Sequence, residues 1–321
     1  MTGHQTESLL VADVGGTNTR IALLRDSVLQ PCSISRLTNN EQSSLPAVLD
    51  AYRARQNLSN VAAACVAVAG PVQDGVARLT NLNWQIDHAS LKDATGARRT
   101  LVINDLRAQA FALQHLPNSS FSSILLGQQT NDTATKLVIG IGTGCNAAVV
   151  LSSANSVHVP ASETGHKRLP LHNQHDLELA VFFQKTHGFA SVEHVLSGVG
   201  LEAVYRFYSG GAADDATPTA PQICEALASG SDKVAAQAVE TVVHKVAHVC
   251  ADLALIHLPF GGIYLTGGVA RALTPYFLRF GFAEHFYEMG RFAHYMQRFP
   301  VSLVTDDYAG LIGCGLALNT E

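Results

Sequence analysis

Apolar runs rich in Val, Ile and Leu alternate along the chain with stretches in which apolar residues recur at helical spacing. That alternation predicts an α/β protein. Leu9 to Asp13, Arg20 to Leu24, Cys65 to Ala69, Val76 to Thr80 and Leu101 to Asn104 read as strands, and Leu45 to Arg55 and Leu106 to Leu116 as helices. A second series opens at Leu137 with KLVIGIGTGCNAAVVLSS and continues with helices around Asp176 to Thr186, Gly198 to Tyr208 and Ser231 to His257. GGIYLTGGVARAL, Gly261 to Leu273, reads as strand, glycine turn and helix. No low-complexity linker separates the series, which puts any boundary in a short crossing near Gln114 to Ser120.

One unit recurs. VADVGGTNTRIALL and VIGIGTGCNAAVV are each an apolar strand, a glycine-rich turn and a second apolar strand, and they align with Asp13 opposite Gly140. A single such turn only connects two strands. Two in matching positions suggest one hairpin used twice, once per lobe. Gly15, Gly16, Gly142 and Gly144 let the backbone approach an anion and turn successive N–H groups toward it. Asp13, at the strand end, is placed to bind Mg²⁺ directly or through water.

The chain has 321 residues, 47% of them hydrophobic and 15% charged. It exceeds one ordinary core, so two lobes with a cleft between them are expected. A net charge of -5 without a run of basic residues offers no field for nucleic acid or an anionic membrane. The six cysteines lie far apart, with no C-x-x-C and no zinc-like Cys/His grouping, and read as reduced thiols of a cytoplasmic protein. The amino terminus lacks the basic and apolar regions of a secretory signal. Charges within Ser231 to Leu258 argue against a membrane span.

Other familiar nucleotide motifs are missing. There is no G-x-x-x-x-G-K-[ST], and GIGTGCNAAVVL lacks the third glycine and the following helix of a dinucleotide fingerprint. In LVINDLRAQAFAL a buried strand ends at Asn104-Asp105 and a helix follows, which is where open α/β sheets place ligands. Either residue would also serve as a simple helix cap. ASETGHKRLP and SVEHVLSGVGL supply Glu163, His166 and Glu193, groups suited to reading hydroxyls, although Ser191 with Glu193 or His194 would also open a helix. His172 and His175 read as surface or packing residues, because no third metal ligand of suitable spacing accompanies them.

Taken in order, Asp13-Val14-Gly15-Gly16-Thr17-Asn18 with Arg20, Asn104-Asp105, Gly140-Ile141-Gly142-Thr143-Gly144, Glu163-Thr164-Gly165-His166, Glu193 with Leu196-Ser197-Gly198, and Thr266-Gly267-Gly268-Val269 resemble the bacterial ATP-dependent glucokinase family. The resemblance extends to DDYAGLIGCGLAL, Asp306 to Leu318, which is similar to that family's closing helix. It implies a two-lobed, actin-like, hexokinase-type (ribonuclease H-like) α/β fold with its active site in the cleft. The implied small lobe is 1–115 plus 306–321, the implied large lobe 116–305, and the implied assembly a homodimer. The implied reaction moves the γ-phosphoryl group of MgATP to the 6-hydroxyl of D-glucose at the first step of glycolysis. Asp105 would be the base, while Asn104, Asp105, Glu163, His166 and Glu193 would hold the sugar. Asp13, Gly15, Gly16, Thr17, Asn18, Gly142, Thr143 and Gly144 would take the ATP phosphates and Mg²⁺, with Gly267 and Gly268 against the adenosine. A kinase for another hexose or amino sugar, or a non-catalytic sugar-binding regulator, is the alternative. Three places depart from the family's usual residues: Cys145-Asn146 stands for an aliphatic residue and glycine, Thr164 for glycine, and Ala161-Ser162 for Pro-Gly. The expected effect is on sugar specificity more than on fold.

Overall fold

A computed structural model describes residues 8–58, 61–79, 82–128, 130–154, 156–211 and 217–320. The chain divides into two compact units: Met1–Pro117 with Asn155–Ala161 and Asp306–Glu321, and Asn118–Ala154 with Ser162–Thr305.

In the first unit, β1 (Leu9–Val14) and β2 (Asn18–Arg25) form an antiparallel hairpin in which Asp13 pairs with Arg20. The short strands β3 (Val28–Leu29) and β4 (Ser35–Thr38) both add to β2. On the other side β1 runs parallel to β5 (Ala63–Val68), which is buried at all six positions, as expected of a strand covered on both faces. A small separate sheet holds β6 (Val72–Gln73), β7 (Val76–Leu79) and β8 (Trp84–Ile86). Thr80, the last residue of the predicted Val76 to Thr80 strand, lies outside the described residues. The edge strand β9 (Arg99–Asn104) runs parallel to β5.

Helix α1 (Leu45–Arg55) occupies the predicted span, with Ser44 accepting from the Ala47 N–H and proline in its first turn. Helix α2 (His88–Thr95) begins in an Asp87/Ser90 capping box and ends on left-handed Gly96. Helix α3 (Asp105–Ala112) stops short of the predicted Leu116, which lies past a final turn closed by Leu116 N–H donating to the Ala112 carbonyl. The closing helix, Ala309–Thr320, packs on α3, β1 and β5. Its Gly313 meets α3 so closely that a Cβ there would overlap the Ala108 carbonyl oxygen.

The second unit repeats the plan. β11 (Lys136–Ile141) and β12 (Cys145–Ser152) are an antiparallel hairpin, and β11 runs parallel to β13 (Ile263–Thr266), which runs parallel to β14 (Val301–Val304). Strand β10 (Phe121–Leu125) closes the far edge, antiparallel to β14. Each sheet is therefore a glycine-turn hairpin extended by two parallel strands, the physical form of the repeat seen in sequence. Helices α4 (Gln174–His187), α5 (Gly198–Ser209), α6 (Ala220–Ser229) and α7 (Lys233–His257) follow. The predicted helix from Ser231 begins at Lys233, because Asp232 caps it through the N–H groups of Val234 and Ala235. α7 is buried along most of its length in the core of the unit, and among the described residues no helix is long and apolar enough to cross a membrane. Of the six cysteines, all free, only Cys32 is exposed.

Gly313→Ala should destabilise the first unit, since the added methyl has only backbone to displace. A loss of about 1–3 kcal/mol is expected, read from the midpoint of urea unfolding.

Candidate functional site

The first unit places the candidate residues Asp13, Asn104 and Asp105 at the carboxyl ends of β1 and β9. The turn after β1 closes through the Gly15 N–H, which donates to the Asn18 carbonyl at 3.0 Å, and Thr17 stands exposed at its tip. Asn39, only 1% exposed, holds the turn from three sides. Its side-chain NH₂ donates to the Gly15 carbonyl at 2.8 Å, its Oδ1 accepts from the Thr19 hydroxyl at 2.7 Å, and its N–H donates to the Thr17 carbonyl at 2.8 Å. Sequence reasoning missed Asn39 because nothing local marks a polar residue whose partners lie some twenty residues earlier.

Asp13 faces Arg20 across the hairpin, Oδ2 to Nη1 at 3.5 Å. Burial raises its pKa against the lowering effect of that guanidinium. Gly310 of the closing helix leaves room for this carboxylate, since a Cβ there would lie 3.2 Å from Oδ2.

Asn104 is the N-cap of α3. Its Oδ1 accepts from the N–H groups of Leu106 (3.0 Å) and Arg107 (3.3 Å), and its NH₂ donates to the Gly70 carbonyl at 3.1 Å. Asn104 therefore caps α3, as the sequence allowed, and the Asp105 side chain is not needed for that role. Asp105 Oδ1 accepts from the Leu106 N–H at 2.9 Å. Burial, and then the negative charge of Asp13, push the Asp105 carboxyl up to about 7. The charge of Asp13 thus disfavours a second charge on Asp105, while the Arg20 guanidinium pairs with Asp13.

In the second unit the turn after β11 closes through the Gly142 N–H, donating to the Gly144 carbonyl at 2.9 Å, with Thr143 exposed at its tip. Glu193 lies directly behind it: Oε2 accepts from the Cys145 N–H at 2.8 Å, and a Cβ on Gly144 would stand 2.5 Å from that oxygen. Gly198 at the start of α5 donates to the Gly142 carbonyl at 2.9 Å. Gly267, at φ 100°, brings the end of β13 so near the end of β11 that a side chain would overlap the Ile141 carbonyl.

Glu163 and His166 lie on a single 3₁₀ turn, the His166 N–H donating to the Glu163 carbonyl. Asn146 fastens this turn to β12. Its Oδ1 accepts from the Thr164 N–H at 2.8 Å, and its NH₂ donates to the Ser162 carbonyl at 2.7 Å and to Glu163 Oε2 at 3.4 Å. The hydroxyls of Ser162 and Thr164 meet at 2.6 Å. The departures at Asn146, Ser162 and Thr164 thus form one bonded set. Ser191 to Glu193 forms a turn rather than a helix start, and the Glu193 N–H donates to the Gly165 carbonyl at 2.9 Å, which ties Glu193 to the Glu163 loop. Burial and the charge of Glu193 raise the Glu163 pKa, against a lowering by His166.

A family model described as glucokinase matches residues 10–321. The chain is 34% identical over 316 residues to a glucokinase of Pseudomonas paraeruginosa, covering 97% of this chain and 92% of that one. The chain belongs to the glucokinase family. A glucokinase of Chromohalobacter salexigens is 30% identical, with 98% and 99% covered. The crystal structure of a glucokinase from an Antarctic psychrotroph superposes with a TM-score of 0.83 at 30% identity, covering 98% of this chain and 99% of the other. The fold is the two-lobed, actin-like sugar-kinase fold, and glucokinase membership makes the protein a phosphotransferase.

The raised Asp105 pKa has a consequence for stability. The folded carboxyl holds its proton up to about 7, whereas an unfolded one releases it near 3.8. Between those values the folded state binds more protons, so this group costs stability as pH rises and costs most above 7. Asp105→Asn should accordingly raise the melting temperature at pH 8, with a gain that shrinks toward pH 5, read from thermal melts of both proteins.

Proposed function

We propose that the protein transfers the γ-phosphoryl group of MgATP to the 6-hydroxyl of D-glucose, giving glucose 6-phosphate and ADP. The observation that carries this reading is Asp105, a carboxylate at the end of a parallel strand, anchored by the N–H of the next residue and brought near neutral pKa by its surroundings. A base poised near 7 accepts the hydroxyl proton as the sugar oxygen attacks, and a positioned base is worth about 10² to 10⁴ in rate. Phosphoryl transfer has a loose transition state, so orientation and neutralisation of the phosphate oxygens supply the remainder.

Gly15 and Gly142 spend their N–H groups closing their own turns. The phosphates would therefore be met by Gly16, Thr17 and Asn18 in one turn and by Thr143 and Gly144 in the other, with Gly267 and Gly268 against the adenosine. A Mg²⁺ ion fits beside Asp13: the donor is a hard oxygen, and burial raises its pKa in spite of Arg20 while its charge raises that of Asp105, so further positive charge there is favourable. Asp13 would hold the ion, directly or through water, and the ion would neutralise charge on the phosphate oxygens.

Glu163, His166 and Glu193 would hold sugar hydroxyls. Glu193 already commits Oε2 to the Cys145 N–H, so it would meet the sugar through Oε1. Asn104 would act by fixing the start of α3, because its amide is committed to the backbone. The family resemblance also supports a cytoplasmic homodimer working at the first step of glycolysis.

Asp105→Asn should lower kcat at least 100-fold while leaving the glucose KM within about threefold, in a coupled assay of ADP release. In the unmodified protein kcat/KM should fall about tenfold per pH unit below about 7, as the base takes up its proton. Near-normal turnover of the variant would remove Asp105 from the mechanism. Glu163→Gln and His166→Ala should each raise the glucose KM tenfold or more with the ATP KM little changed, since a hydrogen-bond partner of a sugar hydroxyl is lost. Assaying mannose, fructose and N-acetylglucosamine beside glucose would settle the acceptor.

A further inference from the structure

We propose that His248, His285 and Glu288 form a binding site for a divalent transition-metal ion of the Zn²⁺ class, formed within the second unit. His248 lies in the buried half of α7, His285 on the helix Phe282–Tyr287, and Glu288 immediately after it. One ligand atom from each falls within 4.8 Å of the others.

The second observation is His248 itself. Its residue is 4% exposed, and neither Nδ1 nor Nε2 has a hydrogen-bond partner. A neutral imidazole carries one N–H and one lone pair, and leaving either buried and unmet costs about 1–3 kcal/mol. The surroundings offer packing in place of partners. The His172 ring stacks at 3.6 Å between centroids, the His285 ring stands at 5.2 Å and 88°, and Lys245 is occupied by Asp176 at 2.5 Å. An unprotonated imidazole nitrogen is the atom that ligates metal.

The other two ligands open toward solvent, with side-chain exposures of 29% for His285 and 65% for Glu288, and the carboxylate already lies 3.3 Å from His285 Nδ1. An ion reaches the cluster from that side, and rotation of two surface side chains closes the ligands around it. Two imidazoles and a carboxylate, completed by water, suit Zn²⁺, Co²⁺ or Ni²⁺ and not Mg²⁺, which requires oxygen ligands. His248 is too far in sequence from His285 and Glu288 for any spacing motif to join the three.

The test uses the full-length, nucleotide-free protein, stripped with a chelator and titrated with Co²⁺, followed by its visible d–d absorption and by calorimetric competition with Zn²⁺. One equivalent of Co²⁺ should bind and be displaced by Zn²⁺, and Zn²⁺ should raise the melting temperature. Because His248→Ala opens the core and risks misfolding, the decisive variants are His285→Ala and Glu288→Gln on the solvent side. Each should weaken Co²⁺ binding about tenfold or more, in line with loss of a ligand. His175→Ala removes the exposed His175–Glu178 pair, which has the same i,i+3 spacing at 3.7 Å, and should leave binding unchanged. The proposal is overturned by absence of Co²⁺ uptake, by uptake that survives both His285→Ala and Glu288→Gln, or by uptake lost in His175→Ala.

Discussion

Three asparagine side chains hold the loops that bear the candidate site residues, and the arrangement of those residues depends on them. A strand that ends at a ligand-facing turn leaves backbone groups with no ladder partner, and in a buried setting these must be met by side chains. An amide provides both a donor and an acceptor on one rigid plane. Asn39 uses both on the turn after β1, Asn104 joins the Gly70 carbonyl to the start of α3, and Asn146 ties the Glu163 loop to β12. None of the three carries a charge, so the loops are fixed without adding to a field already set by the carboxylates. The candidate carboxylates are thus placed by neutral neighbours and their protonation is set by burial and charged ones.

That division explains why the Asp105 pKa is raised. Its carboxylate accepts an N–H from its own helix, which alone would favour the charged form, yet burial and Asp13 outweigh that bond. Asp13 in turn is offset by Arg20 on the adjacent strand. A small change in the pairing of Asp13 would move Asp105 as well, because the two share one local balance of charge.

Much of the fold was legible in the sequence. The two glycine-turn hairpins announce themselves by period, and α1 falls on the predicted residues because its cap, proline and apolar spacing agree. The α3 end and the α6 helix were not legible: the first stops although its apolar pattern continues, and the second, Ala220–Ser229, is a short helix between two longer ones. Of the site, the strand-end residues Asp13, Asn104 and Asp105 stand out because two buried strands end on them. Asn39 was hidden, since its value lies wholly in contacts distant along the chain. Asn146 was visible as a departure, but its bond to the Thr164 N–H links two unusual positions that sequence presents as unrelated. Separation along the chain also concealed the nearness of His248 to His285.

The helix Ala309–Thr320 belongs to the first unit, yet it follows the whole of the second in the chain. Arg99 donates to its Leu318 carbonyl, Cys314 lies 3.6 Å from the Ala12 carbonyl, and Gly313 is pressed on α3. During synthesis the β1, β5 and α3 surfaces that receive it therefore leave the ribosome long before their cover exists, whereas the second unit has all its own segments by residue 305. The order of assembly is thereby set by connectivity: the unit made first must wait to be completed last, with its apolar face the part most in need of protection in the interval.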